Sequence, residues 1–250
     1  MKKLIIFDLD GTLLNTIGGI GSACNEMLNY YGLPTWALED YEKKVGDGSL
    51  MLIKRALPAD KAADDAFLKE AKEVYLKYYR ANLARETRPY AGMTELLQEL
   101  QRRGLTLAVA SNKFDDGAKF LIPHFFPQIS FAAVEGQKPG GPLKPEPGII
   151  DDAIAGSVRA AGAALADSSR PRSIAEDESG TAQSGQKAAT RLRRDQILYV
   201  GDCEVDIESA TRSGLDYVLC TWGFRRRAAL EAAGAKALID TPAELLSYLE

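Results

Sequence analysis

Residues 3–12 have the sequence KLIIFDLDGT, in which an apolar run ends at two carboxylates and a glycine. A short continuous apolar run of this kind is typical of a buried parallel strand. Asp8 and Asp10, two positions apart at the end of that strand, can both face the crevice in which α/β sheets bind ligands. Gly11 allows the chain to turn away sharply after them. The segment therefore predicts a strand with paired carboxylates at its carboxyl end.

Three further apolar runs end at polar residues or glycine, and helical patterns lie between them. Strands that alternate with helices favour a doubly wound parallel sheet, so we predict a Rossmann-like α/β core. The predicted strands after the first are residues 105–110, 197–200 and 217–220, and the predicted helices include residues 94–103 and 205–213.

Residues 16–86 interrupt this alternation with one helical pattern after another. A helical block inserted after the first strand predicts a cap domain at 16–86, joined by two linkers to a catalytic core built from 1–15 and 87–250. The second linker is expected near Pro89, because proline prevents a helix from continuing. The helices predicted inside the block are residues 17–31, 49–57 and about 60–85.

The composition narrows the classes of protein to which this chain can belong. The 250 residues carry a net charge of −4, which gives no reason to expect nucleic acid or an anionic membrane as a partner. Three widely separated cysteines argue against a disulfide framework or a zinc site and fit a reducing cytoplasm. No apolar run approaches the length of a membrane span, and Asp8 comes too early for a signal peptide. We therefore expect a cytoplasmic protein.

Residues 157–194 differ in composition from the rest of the chain. They are rich in Ala, Ser, Gly, Arg and Gln, and they contain no aromatic residue. We predict a helix at 151–166, followed by a mostly disordered loop at 167–189 that cannot bury enough surface to offset its ordering entropy. The loop is expected to be inert, with a partner-binding role as the alternative.

The paired carboxylates after the first predicted strand can divide the work of a group transfer. A carboxylate such as Asp8 can attack phosphorus and form an acyl phosphate. Asp10 can protonate the leaving oxygen and later deprotonate a water molecule. In isolation the same residues also fit a turn with solvated acids.

Other polar residues follow the remaining strands. Asp202 can join Asp8 in binding Mg²⁺, which requires oxygen ligands, although an aspartate at this position also suits a helix N-cap. Ser111 and Asn112 can form a phosphate cradle at a helix start, or an ordinary N-cap. Lys144, in a turn flanked by proline, can place a positive charge on a phosphate, or it is a surface lysine. Considered together, these groups are the set that phosphoryl transfer needs.

The motifs resemble those of the haloacid dehalogenase-like superfamily, and within it the phosphoglycolate phosphatase-like branch with a helical cap. The matching residues are Asp8, Asp10, Gly11 and Thr12 in the first motif, Ser111 in the second, Lys144 and Pro145 in the third, and Gly201, Asp202 and Asp206 in the fourth. The resemblance extends over nearly the whole chain except residues 157–194, which make the stretch between the third and fourth motifs longer than in that branch.

The resemblance implies a role for each matching residue. Asp8 would be the nucleophile and Asp10 the general acid and base, and Mg²⁺ would be held by Asp8, the main-chain carbonyl of Asp10 and Asp202. Ser111 and Lys144 would bind the transferring phosphoryl group. The other implied residues are Gly11, Thr12 and Asn112 for phosphate contact and Asp206 for orienting the lysine or the metal shell. The dehalogenases of the family lack the second acid, so Asp10 favours phosphate chemistry.

The expected activity is therefore Mg²⁺-dependent hydrolysis of a small phosphorylated metabolite, with phosphoglycolate as the best single substrate, by a monomer or homodimer. A phosphomutase resembling β-phosphoglucomutase and a pyrophosphatase would use the same residues. A non-catalytic phosphate-binding module is an alternative from another class. In the cap, Gly46, Lys54 and Arg55 are candidates for substrate specificity, and exposed charges on an amphipathic helix are the alternative for the two cations.

Overall fold

A computed structural model of the chain describes residues 1–168 and 192–250. Its strands are β1 (Leu4–Phe7), β2 (Leu14–Asn15), β3 (Arg88–Pro89), β4 (Thr106–Phe114), β5 (Ala133–Gln137), β6 (Ile197–Gly201), β7 (Asp216–Cys220) and β8 (Leu238–Ile239). Its α-helices are α1 (Ile17–Tyr30), α2 (Gly48–Ala56), α3 (Ala59–Ala62), α4 (Asp65–Ala81), α5 (Met93–Arg102), α6 (Asp115–Phe125), α7 (Gly148–Ser168), α8 (Glu204–Arg212) and α9 (Arg227–Ala232). Short 3₁₀ helices span Leu38–Lys43, Arg194–Gln196 and Pro242–Tyr248.

Within the described residues, six strands form one parallel sheet in the order β5-β4-β1-β6-β7-β8. Phe7 of β1 pairs with Val109 of β4 on one side and with Val200 of β6 on the other. From β1 the chain fills the sheet first toward β5 and then toward β8. The carboxyl end of β1 is therefore a topological switch point, the place where such sheets bind ligands.

Helices cover both faces of the sheet, because alternate side chains of a strand point to opposite faces. Ile5 and Phe7 of β1 belong to the apolar cluster that contains Leu97 of α5. Leu4 and Ile6 belong to a second cluster on the other face, which contains residues of α7 and α8. The prediction of a doubly wound α/β core is confirmed.

The sheet is wider than the sequence pattern predicted. The pattern indicated four strands, whereas β5 and β8 extend the sheet at its two edges. β5 has the sequence AVEGQ and is only partly buried, and β8 has two residues, so neither contains the continuous apolar run of a central strand. The strand predicted at 105–110 also continues to Phe114.

Residues 17–81, which we call the helical segment, have an apolar cluster of their own. It includes Met27 of α1, Ile53 of α2 and Tyr75 of α4. The two connections between the helical segment and the sheet pair with each other, since β2 and β3 form a short antiparallel ladder.

The helix predicted at about 60–85 is interrupted. α3 ends at Ala62, and the side chain of Asp64 accepts hydrogen bonds from the N–H groups of Ala66 (3.0 Å) and Phe67 (3.1 Å) at the start of α4. An aspartate in this arrangement satisfies N–H groups that a new helix leaves free. Asp64 therefore begins a second helix at a position where the prediction continued the first.

The segment of unusual composition is described only at its ends. α7 reaches Ser168, two residues beyond the predicted end of that helix. Residues 169–191, which contain most of the predicted disordered loop, lie outside the described residues. Among the helices that the structure does describe, none is long and apolar enough to cross a membrane.

Candidate active site

A cavity lies between the carboxyl end of the sheet and the helical segment, with about 620 Å³ of empty space that includes its opening to solvent. The sheet side contributes mainly polar groups, among them Asp8, Asp10, Ser111 and Asp202. The helical segment contributes mainly apolar and aromatic groups, namely Ile20, Val45, Leu52, Tyr75 and Tyr79, together with Gly46, Gly48 and Ser49.

Asp8 is buried directly after β1. Its N–H donates to the carbonyl of Val200 at 2.8 Å, which continues the pairing of β1 with β6. The Nζ of Lys144 lies 2.9 Å from Asp8 Oδ1 but not in hydrogen-bond geometry, so this buried oxygen has no hydrogen-bond donor among the residues that the structure describes. Burial raises the pKa of Asp8 to about 6; Lys144 opposes the rise, and Asp206 and Asp10 add to it.

Lys144 joins two of the buried carboxylates. Its Nζ donates to Asp206 Oδ1 and to the hydroxyl of Tyr199, both at 2.8 Å, besides its contact with Asp8. Burial alone lowers the pKa of Lys144, but Asp206 and Asp8 raise it well above the ordinary value. Burial favours neutral Asp206, yet the charge and hydrogen bond of Lys144 hold the pKa of that carboxyl below its usual range. Both groups of this pair are therefore charged.

Asp206 holds both Lys144 and the backbone at the end of β6. Its Oδ2 accepts hydrogen bonds from the N–H groups of Asp202 (3.0 Å) and Cys203 (3.1 Å). Gly201 is required next to it, since a Cβ at that position would lie 2.3 Å from Asp206 Cγ. The spacing between Gly201 and Asp206 therefore lets a residue in the first turn of α8 reach back to the strand. The geometry fits the orienting role predicted for Asp206.

Asp202 is buried beside Asp8 and does not cap α8, whose N-cap is Cys203. Its Oδ2 accepts a hydrogen bond from the N–H of Phe224 at 2.7 Å. Burial raises the pKa of Asp202 well above the ordinary value, and Asp206 and Asp8 raise it further. The alternative interpretation of Asp202 as a helix cap is therefore wrong.

Gly11 and Thr12 shape the loop beneath Asp202 and are not among the residues that line the cavity. Gly11 has a φ of +90°, and a Cβ there would lie 2.3 Å from Asp202 Oδ2. Its N–H donates to Leu14, while the hydroxyl of Thr12 lies 3.5 Å from Asp202 Oδ1. Their predicted phosphate contacts do not fit this position, because these groups face the loop and Asp202.

The donors around Asp8 fit a hard divalent cation. Asp8 and Asp202 are both buried carboxylates, and the charge of Asp8 raises the pKa of Asp202, while Lys144 compensates Asp8 and Asp206 with one positive charge. Ionised Asp202 therefore adds a buried negative charge that a cation would neutralise. Ligand atoms of Asp202, Cys203 and Asp206 also lie within 4.8 Å of one another, but Asp206 already accepts hydrogen bonds at both of its oxygens. Asp8 and Asp202 are thus the better oxygen donors for Mg²⁺.

Ser111 and Asn112 lie inside β4, whereas the prediction placed them at a helix start; the next helix begins at Asp115. Ser111 lines the cavity, and its Oγ accepts the N–H of Lys113 at 3.3 Å, so its hydroxyl hydrogen is free to donate. The side-chain amide of Asn112 is engaged in hydrogen bonds within the protein. It accepts from the N–H of Lys144 (2.7 Å) and donates to the carbonyls of Lys144 and Gly46 (both 3.0 Å). Asn112 therefore holds the turn that carries Lys144, and its side chain is not available to phosphate.

Lys113 is a site residue to which the sequence analysis gave no role. Its Nζ donates to Asp10 Oδ1 at 2.9 Å and Oδ2 at 3.2 Å, and it also contacts the hydroxyl of Tyr79 from α4. The side chain of Lys113 is 2% exposed, and that of Asp10 is 13% exposed. The sequence contains no clear signal for this role, because Lys113 follows two polar residues beyond the strand predicted at 105–110, and its burial, which requires a partner, is visible only in the structure.

The candidate specificity residues of the helical segment divide into two groups. Gly46 lines the cavity. Lys54 and Arg55 are exposed and are not among the lining residues, and Arg55 is held by the side chain of Asp47 and the carbonyl of Lys44. The position of these two cations matches the alternative interpretation, exposed charges on an amphipathic helix.

Arg225 is a second charged lining residue that was not among the candidates. Its guanidinium donates to the carbonyls of Glu42 and Val45 (2.9 Å for Val45) and pairs with Glu204 of α8 at 3.0 Å. It lies one residue after Phe224, whose N–H holds Asp202. The segment after β7 thus contacts both a cavity carboxylate and the helical segment.

Comparisons with known proteins agree with this site. The family model of the haloacid dehalogenase-like hydrolases matches residues 2–214. A phosphoglycolate phosphatase from Mesorhizobium japonicum is 28% identical over 231 residues, which cover 90% of this chain and 86% of that protein. One from Agrobacterium fabrum is 37% identical over 135 residues, 54% of this chain and 58% of that protein. The structure of a predicted phosphoglycolate phosphatase from Haemophilus somnus 129pt has a TM-score of 0.76 at 25% identity, covering 100% of this chain and 98% of that one.

These matches confirm that the chain is a hydrolase with the predicted type of core. It belongs to the haloacid dehalogenase-like hydrolase family, since the family model covers most of its length. The predicted resemblance to the phosphoglycolate phosphatase-like branch is confirmed as well.

Proposed function

We propose that the protein hydrolyses a small phosphomonoester through a phosphorylated Asp8. The observation that carries the proposal is the position of Lys144, whose Nζ lies 2.9 Å from the cavity-lining Asp8 and 2.8 Å from the buried Asp206. A phosphoryl group brought to Asp8 would meet this ammonium group at once. Preorganised positive charge beside the reacting phosphate is the main requirement of phosphoryl transfer.

Mg²⁺ would be held by the carboxylates of Asp8 and Asp202 and by the main-chain carbonyl of Asp10. When bound, the cation would neutralise charge that develops on the phosphoryl oxygens. Asp202 is kept in place for this task by the N–H of Phe224.

The residues around the cavity suggest how two half-reactions are divided. In the first, Asp8 attacks phosphorus, the bond to the leaving oxygen breaks, and Asp10 donates a proton to that oxygen. In the second, Asp10 takes a proton from water, which attacks phosphorus and releases Asp8. Ser111 and Lys144 would bind the phosphoryl oxygens in both half-reactions.

The helical segment is proposed to act as a cap over this chemistry, within the domain division 16–86 and 1–15 plus 87–250. Its apolar side chains close one side of the cavity, and a closed cavity excludes water from the first half-reaction. A cavity of this volume is in the usual range for sites that bind small molecules, which supports a small substrate. Phosphoglycolate is the proposed substrate because the relatives reported above are phosphoglycolate phosphatases.

The proposal is tested by phosphate release from a panel of small phosphomonoesters that includes phosphoglycolate and a hexose 1-phosphate, with Mg²⁺ or with EDTA. Wild-type protein should release phosphate only with the metal, and fastest from phosphoglycolate. Asp8→Asn should lower the rate by at least about 10⁴-fold, since it removes the nucleophile. The exposed Asp60 provides a matched control, because Asp60→Asn changes a carboxylate outside the cavity.

Three outcomes would contradict the proposal in different ways. A near-wild-type rate in Asp8→Asn would exclude the nucleophile. Isomerisation of the hexose 1-phosphate without phosphate release would identify a mutase. Binding of phosphate and Mg²⁺ without turnover of any substrate would favour a non-catalytic module.

A further inference from the structure

The charge of Lys113 is directed at the proposed acid and not at the phosphate position. A lysine ammonium group has three N–H donors. In Lys113 the three contacts are Asp10 Oδ1, Asp10 Oδ2 and the hydroxyl of Tyr79, so its donors are all engaged. Lys144, in contrast, contacts the proposed nucleophile Asp8. These two buried lysines thus serve different carboxylates of the cavity.

Asp10 depends on Lys113 for its side-chain orientation. Among the described residues, Lys113 is the one hydrogen-bond donor to the carboxylate of Asp10. Asp10 also precedes Gly11, whose positive φ turns the chain sharply away from the strand. A general acid must lie within hydrogen-bond reach of the leaving oxygen, and a misplacement of about 1 Å can reduce the rate by about 10²-fold.

The helical segment holds Lys113 from the other side. Tyr79 of α4 is buried, and its ring lies 4.6 Å from Lys113 Nζ and packs edge-on against Phe114 at 5.9 Å. A residue of the proposed cap therefore contacts the lysine that contacts the proposed acid. The position of the acid is in this way connected to the docking of the helical segment.

We propose that Lys113 is a positioning residue that aims Asp10 at the leaving oxygen, and that Tyr79 holds Lys113 when the helical segment is docked. The inference rests on the proposed function, in which Asp10 is the general acid. It predicts that the loss of Lys113 lowers the rate of phosphoryl transfer when the leaving group must be protonated and changes it little when the leaving group needs no proton.

The test compares two substrates with different leaving groups. The first substrate is the alkyl phosphomonoester that wild type hydrolyses fastest. Its leaving oxygen must take a proton from Asp10 as the bond to phosphorus breaks. The second is acetyl phosphate, whose leaving group departs as acetate without a proton. The measured quantity is kcat/KM, which covers the reaction only as far as the phosphorylation of Asp8.

Lys113→Met should lower kcat/KM for the alkyl phosphate by about 10²-fold, the size of a general-acid contribution. Its kcat/KM for acetyl phosphate should stay within about threefold of the wild-type value. Tyr79→Phe should show the same selectivity with a smaller loss, about tenfold for the alkyl phosphate. Lys119 of α6, an exposed lysine paired with Asp115, provides the control, and Lys119→Met should change neither value.

Equal losses on the two substrates would overturn the inference, because a lysine that acts on phosphate or on folding affects both. Unchanged kcat/KM for the alkyl phosphate in Lys113→Met would overturn it too. If Lys113→Met fails to fold, Tyr79→Phe alone decides by the same comparison. Wild-type protein that hydrolyses neither substrate would contradict the proposed function, and the inference with it.

Discussion

The two sides of the cavity, which we call its floor and its roof, differ in the kinds of side chain that form them. The floor, at the carboxyl ends of β1, β4 and β6, presents mainly polar groups, and its carboxylate Asp8 contacts the buried Lys144, which also contacts Asp206. The roof, formed by the helical segment, is mostly apolar and aromatic, and its cations Lys54 and Arg55 face solvent. In the proposed function the floor would therefore carry the charges for the chemistry, while the roof would enclose them and select the substrate by shape.

The largest effect is expected where the floor loses its shared cation. Lys144→Met would leave Asp8 and Asp206 buried without their counter-charge, which typically destabilises a protein by about 3–5 kcal/mol. Phosphate release should also fall by at least about 10³-fold, because a positive charge at the phosphoryl group is lost. Urea unfolding and the phosphate-release assay measure the two losses.

Lys138 provides the matched control for this prediction. It precedes Lys144 in the same connection and pairs with Glu135 and Asp152, but its side chain is 49% exposed. Lys138→Met should therefore change stability and activity little. Equal losses of stability and activity in the two variants would show that the buried position of Lys144 does not matter. The contrast between a floor of paired charges and an enclosing roof would then be wrong.

The floor was largely predictable from the sequence because its residues come in short motifs at strand ends. Asp8, Lys144, Asp202 and Asp206 all lie at the position that their motif indicated. The roles of Asn112 and Lys113 were not predictable in this way. They depend on which side chain faces them from another part of the chain, here Lys144 for Asn112 and Asp10 for Lys113.

The same distinction applies to the fold. Central strands are buried on both faces, so β1 and β6 appear as continuous apolar runs, whereas the edge strand β5 has one polar side and no such run. The break before α4 depends on a single capping aspartate, Asp64, within a pattern that otherwise continues as a helix. Features that rest on many buried residues were predicted, and those that rest on one contact were not.

A smaller effect is expected from the charge of Asp8 in the absence of metal. Its pKa is about 6 in the folded protein against 3.8 for an ordinary aspartate, so the folded state binds more protons between these values. The free energy of unfolding therefore falls as the pH rises through this window and stays low above it. With EDTA present, Asp8→Asn should be more stable than wild type at pH values near 8, by up to about 3 kcal/mol.

The difference between the two proteins should become small near pH 4 and disappear below it, where Asp8 is protonated in both the folded and the unfolded wild type. Urea unfolding at several pH values, with the metal removed by EDTA, measures it. A variant less stable than wild type at neutral pH would mean that the contact with Lys144 outweighs burial, and that this carboxylate is stably ionised without a cation.

The smallest effect is expected at the contact between floor and roof. Arg225→Ala removes the hydrogen bonds to the carbonyls of Glu42 and Val45, which hold one wall of the roof against the sheet. We expect kcat/KM to fall by about tenfold, the size of one hydrogen bond to a charged group. Lys54→Ala is the matched control, because it removes an exposed cation of the roof and should change kcat/KM by less than about twofold. If Lys54→Ala costs as much as Arg225→Ala, the roof recognises its substrate by charge from α2, and the assignment of charge to the floor and shape to the roof is wrong.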